Sequence, residues 1–291
     1  MNASCTTARE ADLVDFPGAV VAFARSNGVD VESPVSLRST NNTVAWLAPS
    51  NVVAKVGPDP LRARIELDAA RALASRGAPV VAPSEVLGDC VYALAGCAVT
   101  FWTYVPPAAV PPSGSSIATA LALLHQHMRD LDNAGVETVT PRCDQALRDT
   151  MTRLDSDRTF ARPLPMHDRH LLVAALGTAT AAVADAAKGQ LIHGSPHRFN
   201  IIANENETLF IDFETVTVGP IEWDLAHLEP AVSAHYPGDL DERHLAILRI
   251  GISAMTSAHC FDSAGCGPDM IDHAQHHLAV VQRHHRDTSS L

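Results

Sequence analysis

LIHGSPHRFNIIANENETLFIDFETV, residues 191–216, is the stretch that decides how this chain is read. It joins a polar loop, HGSPHRFN, to two short apolar runs, IIAN and LFIDF. Asn204–Glu207 stands between those runs as turn-forming residues, which is the pattern of a β-hairpin. Asn200 leads into the first run and Asp212 stands at the exit of the second. An amide oxygen and a carboxylate therefore come to one edge of the hairpin. Hard oxygen donors of this kind suit Mg²⁺, which takes few protein ligands beside phosphate oxygens and keeps several waters. Taken alone, the pair also fits a plain hairpin with two polar residues near its open end.

Upstream of the hairpin the pattern is helical. Ile117–Leu131, Asp144–Leu154 and His167–Ala187 are Ala- and Leu-rich runs with helical spacing, and from Gly219 onward helical patterning returns. Further back, VPPAAVPPSGSS (residues 105–116) is the strongest punctuation in the chain, and the boundary between two lobes is placed just before it. Ahead of that boundary the chain is mostly strand. Residues 35–57 read as an antiparallel meander around the polar turn Ser39–Asn42, its last run bearing Lys55. A helix over 61–76 follows, opened by Pro58 and Pro60 and ended by Gly77 and Pro79, with Leu61, Ile65, Ala69 and Leu73 in line. SEVLGDCVYAL and CAVTFWTYV (residues 84–94 and 97–105) read as two more strands. An earlier helix, Ala11–Arg25, is expected to break at Pro17–Gly18. The spacing thus predicts an α+β protein: a β-rich lobe over 1–104, then a helical lobe over 105–291 with the hairpin set into it.

With 46% apolar and 19% charged residues, the 291-residue chain can bury a sizeable core. A formal charge of −12 argues against nucleic-acid binding, which needs a basic face. That charge favours cationic small molecules, although solubility accounts for it as well. No run is long and apolar enough for a membrane span, and acids near the N-terminus contradict a signal peptide, so a cytoplasmic location is the default expectation. Six scattered cysteines read as reduced small hydrophobes.

HGSPHRFN (193–200), IDFE (211–214) and GPIEWDLAHL (219–228) resemble, in order and spacing, the catalytic loop, metal motif and following helix of the aminoglycoside phosphotransferase and choline kinase-like family. NTVAWLAPSNVVAKVG, IELDAARALASRGAPVVAPSEV and LALLHQH extend the resemblance over most of the chain. It implies a bilobal protein-kinase-like fold and an enzyme that moves phosphate from ATP to a hydroxyl of a small molecule. Lys55 would contact the α/β-phosphates and pair with Glu66, because charge builds on the phosphate oxygens. Asn200 and Asp212 would hold Mg²⁺. The turn containing Ser39 and Asn42 would offer backbone N–H groups to phosphate in place of a glycine-rich loop. Thr100–Tyr104, including Phe101 and Thr103, would read the adenine edge through its backbone, and Asp224 would brace the catalytic loop.

The departure from the family lies at Ser195, where it places an aspartate that handles the proton of the acceptor hydroxyl. A serine hydroxyl is no base at neutral pH. Three readings stay open: a working kinase whose base is replaced, with His197 or Glu214 nearest in sequence and His193 opening the motif; a nucleotide-binding pseudokinase; or a site tolerating slow chemistry. A hydrolase built on Ser195 would need an oxyanion hole and an orienting acid, and GxSxG is absent. The histidines at 259, 273, 276, 277, 284 and 285, with Cys260 and Cys266, lack the spacing of a structural zinc site. Asp239, Asp241 and Glu242 could face a cationic acceptor or simply solvent. The acceptor and the oligomeric state are not legible.

Overall fold

The structure, a computed structural model, describes residues 17–39, 42–133, 142–156, 164–186, 189–262 and 268–289. Its contacts divide the chain into two units, Met1–Pro111 with Ile202–Glu214, and Pro112–Ile201 with Thr215–Leu291. The sequence places the change of lobe at 104/105; the contacts place it at Pro111 and put most of the hairpin with the first unit.

The first unit opens with α1 (Gly18–Ser26), which starts directly after Pro17. The expected helical residues ahead of Pro17 lie outside the described ones. The meander follows as β1 (Val31–Ser39), β2 (Thr43–Pro49) and β3 (Val52–Gly57). With β4 (Tyr92–Leu94) and β5 (Cys97–Thr103) these form an antiparallel sheet of order β1-β2-β3-β5-β4. Register sorts the side chains. Leu47, Val52, Ala54, Val56, Val99 and Phe101 join a core with Val20, Val21 and Ala24 of α1. The pairs Val44↔Lys55, Lys55↔Thr100, Trp46↔Val53 and Val53↔Trp102 set Lys55 on the opposite face.

Between the strands, α2 (Pro60–Ala74) is capped by Asp59, whose Oδ1 accepts the N–H groups of Leu61 and Arg62 at 2.9 and 3.1 Å. Its buried stripe is Glu66, Leu67, Ala70 and Leu73. The expected line through Leu61, Ile65 and Ala69 is therefore rotated, and Leu61 stands 68% exposed. The inward face is the one that brings Glu66 to the sheet. The strand expected over 84–94 is also shorter. Ser84 Oγ accepts from Val86 and Leu87, and Gly88 N–H donates to Ser84 C=O at 2.7 Å, so a turn replaces the strand until Tyr92. The hairpin strands β7 (Ile201–Ala203) and β8 (Thr208–Phe210) turn at Asn204, whose Oδ1 accepts the N–H groups of Asn206 and Glu207 at 2.8 Å. Phe210 exchanges backbone bonds with Pro79 and Val81, which fixes the exit towards Asp212.

The second unit is mainly helical: α3 (Gly114–Asn133), α4 (Asp144–Asp155), α5 (Met166–Asp185), α6 (Ile221–Ala226), α7 (Pro230–Ser233), α8 (Glu242–Asp262) and α9 (Pro268–Ser289). A small sheet pairs β6 (Gln190–Ile192) with β9 (Thr217–Gly219). Leu121, Leu124, Leu147, Leu172, Leu176 and Leu245 are fully buried, and each such side chain stabilises by about 2 kcal/mol. Among the described residues no helix is long and apolar enough to cross a membrane. The described cysteines, Cys90, Cys97, Cys143 and Cys260, are free thiols.

Gly251 of α8 lies so close to Ala179 of α5 that a Cβ would overlap the alanine methyl. Gly251→Ala gains about 1 kcal/mol of helix propensity but overpacks this contact by about 1–3 kcal/mol. A net loss of stability in denaturant unfolding is the expected outcome, larger for Gly251→Val.

Candidate functional site

In the first unit the decisive residue is Lys55. An isolated ammonium at this depth would shed its proton rather than stay charged. Here its Nζ meets Glu66 Oε2 at 2.8 Å, Asp212 Oδ1 at 2.9 Å and Glu214 Oε1 at 2.6 Å. Burial works to lower its pKa, but the three carboxylates outweigh it and the group is held well above its ordinary value. Glu66 is shifted the other way for a carboxylate. Burial pushes it up to about 7, Asp212 and Glu214 add to the rise, and Lys55 opposes it. One strand, one helix and the hairpin exit thus deliver four charged groups to one point. Asn42 joins them by donating its Nδ2–H to Glu214 Oε1 at 2.5 Å. A cavity of about 230 Å³ opens on the cluster among Asn42, Lys55, Gly57, Arg62, Thr100 and Glu214.

The ligand atoms of Glu66, Asp212 and Glu214 all lie within 4.8 Å of one another, the only such grouping of three among the described residues. The histidines of α8 and α9 form no such group there, and Cys266 is outside the described residues. Asp212 takes a backbone φ of +70°, a left-handed conformation uncommon for a residue with a side chain. Strain of this kind persists where its surroundings impose it, and here it aims the carboxylate at Lys55.

The other expected nucleotide residues are placed differently. Ser39 ends β1, exposed and paired with Thr43, and Thr40 and Asn41 lie outside the described residues. Phe101 is wholly buried in the core, and its carbonyl accepts Ser84 N–H at 3.0 Å. Thr103 N–H donates to Ala82 C=O at 3.0 Å. Those two backbone groups are already committed, which narrows any adenine-reading edge to the neighbouring groups of this segment.

In the second unit the HGS loop is held through its main chain. Asp224 accepts the N–H of His193 on Oδ2 at 2.9 Å and that of Gly194 on Oδ1 at 2.8 Å. His125 Nε2 lies 3.0 Å from Oδ2, and its Nδ1 lies 2.9 Å from the Tyr236 hydroxyl. An Nε2–H tautomer that accepts from the tyrosine satisfies both contacts. Burial works to raise the Asp224 pKa, but the His125 bond and charge, with His193 and the Gly194 N–H, hold it below the usual carboxylate range. Trp223 Nε1–H donates to Gly194 C=O at 2.8 Å. Asn200 Nδ2–H donates to Ser195 C=O at 3.0 Å, which commits the nitrogen end of that amide to the loop. Gly194 has φ +90°, and a Cβ there would overlap the Thr215 carbonyl. Ser195 is half-buried; His193 is fully buried, with its Nδ1 3.4 Å from Ser195 N; His197 packs edge-on against Phe199.

Trp223, Tyr236 and His227 belong to this site although the sequence reading passed over them. Trp223 and His227 flank Asp224 in GPIEWDLAHL, one and three residues away, which was the available signal. The Nε2 of His227 is buried with no hydrogen-bond partner among the described residues. Burial pushes its pKa down to about 4; His197 and His193 add to the fall, and Asp224 opposes it.

The Phosphotransferase enzyme family matches residues 29–253 of this chain. No curated protein matches the sequence. Among solved structures, an amicoumacin kinase in complex with AMP-PNP, Ca²⁺ and Ami is similar at TM-score 0.68 and 12% identity, over 94% of this chain and 96% of that one. Wild-type aminoglycoside 2′-phosphotransferase-IIIa in its GDP complex gives 0.66 and 17%, over 91% and 97%. The choline kinase LicA from Streptococcus pneumoniae gives 0.62 and 15%, over 91% and 96%. At these identities the likeness is one of fold, and that fold is kinase-like.

His227 makes one consequence measurable. Its folded pKa lies below the ordinary 6.5, so between about pH 6.5 and 4 the unfolded chain binds the extra proton. Its contribution to stability is complete above pH 6.5 and is lost as pH falls through that window, by at most about 3 kcal/mol. His227→Phe should flatten this part of the stability–pH curve in urea titrations from pH 7 to 4.

Proposed function

This chain belongs to the phosphotransferase enzyme family, and we propose that it transfers the γ-phosphoryl group of ATP, with Mg²⁺, to a hydroxyl of a small molecule. The observation that carries this reading is the meeting of Lys55 with Glu66 at 2.8 Å and Asp212 at 2.9 Å. Phosphoryl transfer asks little covalent chemistry of the protein and depends on positioning and neutralisation of charge. A strand lysine fixed by a buried helix glutamate is a preorganised cation for phosphate oxygens.

The same cluster fits a hard divalent cation. Its donors are carboxylate oxygens, which suit Mg²⁺, and three acids against one ammonium leave negative charge that a polyphosphate would only increase. Asp212 would be the principal ligand, and a bound Mg²⁺ would supply neutralisation of the phosphate oxygens. In the transfer, the acceptor oxygen forms a bond to the γ-phosphorus, the bond to the ADP oxygen breaks, and the hydroxyl proton passes to solvent or to a phosphate oxygen. Ser195 cannot take that proton at neutral pH. The loss of a general base lowers the rate by about 10²–10⁴-fold, which slows such a reaction without removing its electrostatic support.

The acidic balance of the chain, −12, favours a cationic acceptor. ATP as donor fits a cytoplasmic setting. The similar structures include both an AMP-PNP and a GDP complex, so GTP belongs in the assay beside ATP. Ser195 is the one observation in favour of a second reading, a pseudokinase that binds Mg-ATP without turnover.

Two outcomes are expected. Mg-ATP should raise the melting temperature of the wild-type protein, and Asp212→Ala should abolish that rise; an unchanged shift in the variant refutes the proposed metal role. Ser195→Asp should increase phosphate transfer about 100-fold over wild type across a panel of amino-sugars and amino-alcohols. Mg-ATP binding without turnover in either protein decides for the pseudokinase.

A further inference from the structure

We infer that Glu214 acts as a positioning residue, tethering Asn42 beside Lys55, and is not the base that replaces the missing aspartate. The inference rests on the phosphotransferase reading above, because it assigns Asn42 and Lys55 to the nucleotide. Glu214 is one of the two side chains nearest in sequence for the base, yet its Oε1 already receives two donors. Lys55 Nζ lies at 2.6 Å and Asn42 Nδ2 at 2.5 Å from that oxygen. Hydrogen bonds to an ionised carboxylate are the short, strong class, and both donors lie within that reach of Oε1.

The far side of Asn42 is fixed as well. The pairing of Thr43 with Val56 brings Asn42 opposite Gly57, and a Cβ on Gly57 would overlap Asn42 Oδ1. The amide is thus held between a carboxylate on one side and a bare glycine Cα on the other. Glycine at 57 permits this close approach: its φ lies outside the left-handed region, and the missing Cβ leaves room for the amide in this position.

The two partners are 172 residues apart in sequence. Lys55 and Asn42 share one carboxylate oxygen, which ties the position of Asn42 to that of the lysine cation. Held there, the Asn42 amide keeps its place on the cavity wall beside the cation. Specificity for a polyphosphate then comes from the pair together.

The test is a double-mutant cycle on Mg-ATP affinity, measured by titration calorimetry on the full chain. Asn42→Ala and Gly57→Ala should each weaken binding about tenfold, the range for a lost hydrogen bond to a charged group. In a Glu214→Ala background, Asn42→Ala should cost less than about threefold, since its partner is already gone. Equal losses in both backgrounds overturn the tether, whatever the variants' melting temperatures. Where turnover is measurable, Glu214→Gln should raise KM for ATP and leave the acidic limb of the kcat pH profile in place. Loss of that limb with an unchanged KM overturns the inference in favour of a base. Absence of Mg-ATP binding by wild-type protein refutes the phosphotransferase reading itself, and the tether falls with it; binding by wild type with additive variants refutes the tether alone.

Discussion

The ammonium of Lys55 sits where an unpaired charge would cost several kcal/mol, and three carboxylates keep it charged. Much of the first unit serves that contact. Register in the meander sets Lys55 on the sheet face away from α1. The rotation of α2 buries Glu66, although Leu61 is left in solvent as a result. The hairpin exit adopts a left-handed backbone at Asp212 to complete the group. A helix stripe that buries a glutamate and exposes a leucine is poor hydrophobic packing, and the ion pair is the interaction that offsets it.

The second unit answers to a different constraint. Its HGS loop has to leave the regular hydrogen bonding of β6 and still satisfy its peptide groups. Asp224 accepts two of the N–H groups, and Trp223 donates to a carbonyl. His125 and Tyr236 extend that chain of bonds, so the carboxylate is fully engaged although no solvent reaches it. Buried polar networks of this kind specify one arrangement because every partial alternative leaves a group unpaired.

The sequence displayed these features unevenly, and the reasons are physical. The meander, the three central helices and the Asn204 turn were legible because local pattern and tertiary packing agree there. Leu61 and residues 84–91 were misread where they disagree: a charge partner turned α2, and the Ser84 hydroxyl with Gly88 offered the backbone a turn in place of a ladder. In the site, the pairing of Lys55 with Glu66 was legible through the family resemblance. The Asn42–Glu214 contact was not, since nothing local marks a bond across 172 residues. Trp223 and His227 escaped notice because an aromatic and a histidine beside a helix start look like ordinary core.

The network around Asp224 grips main-chain atoms of His193 and Gly194, and Asn200 grips the main-chain oxygen of Ser195. None of these bonds consults the side chain at position 195. The shape of the loop is therefore insured against changes in its own chemistry. An acid or a hydroxyl at this position would meet the same main-chain bonds. Through these bonds, the fold makes no demand on the chemistry displayed at this position.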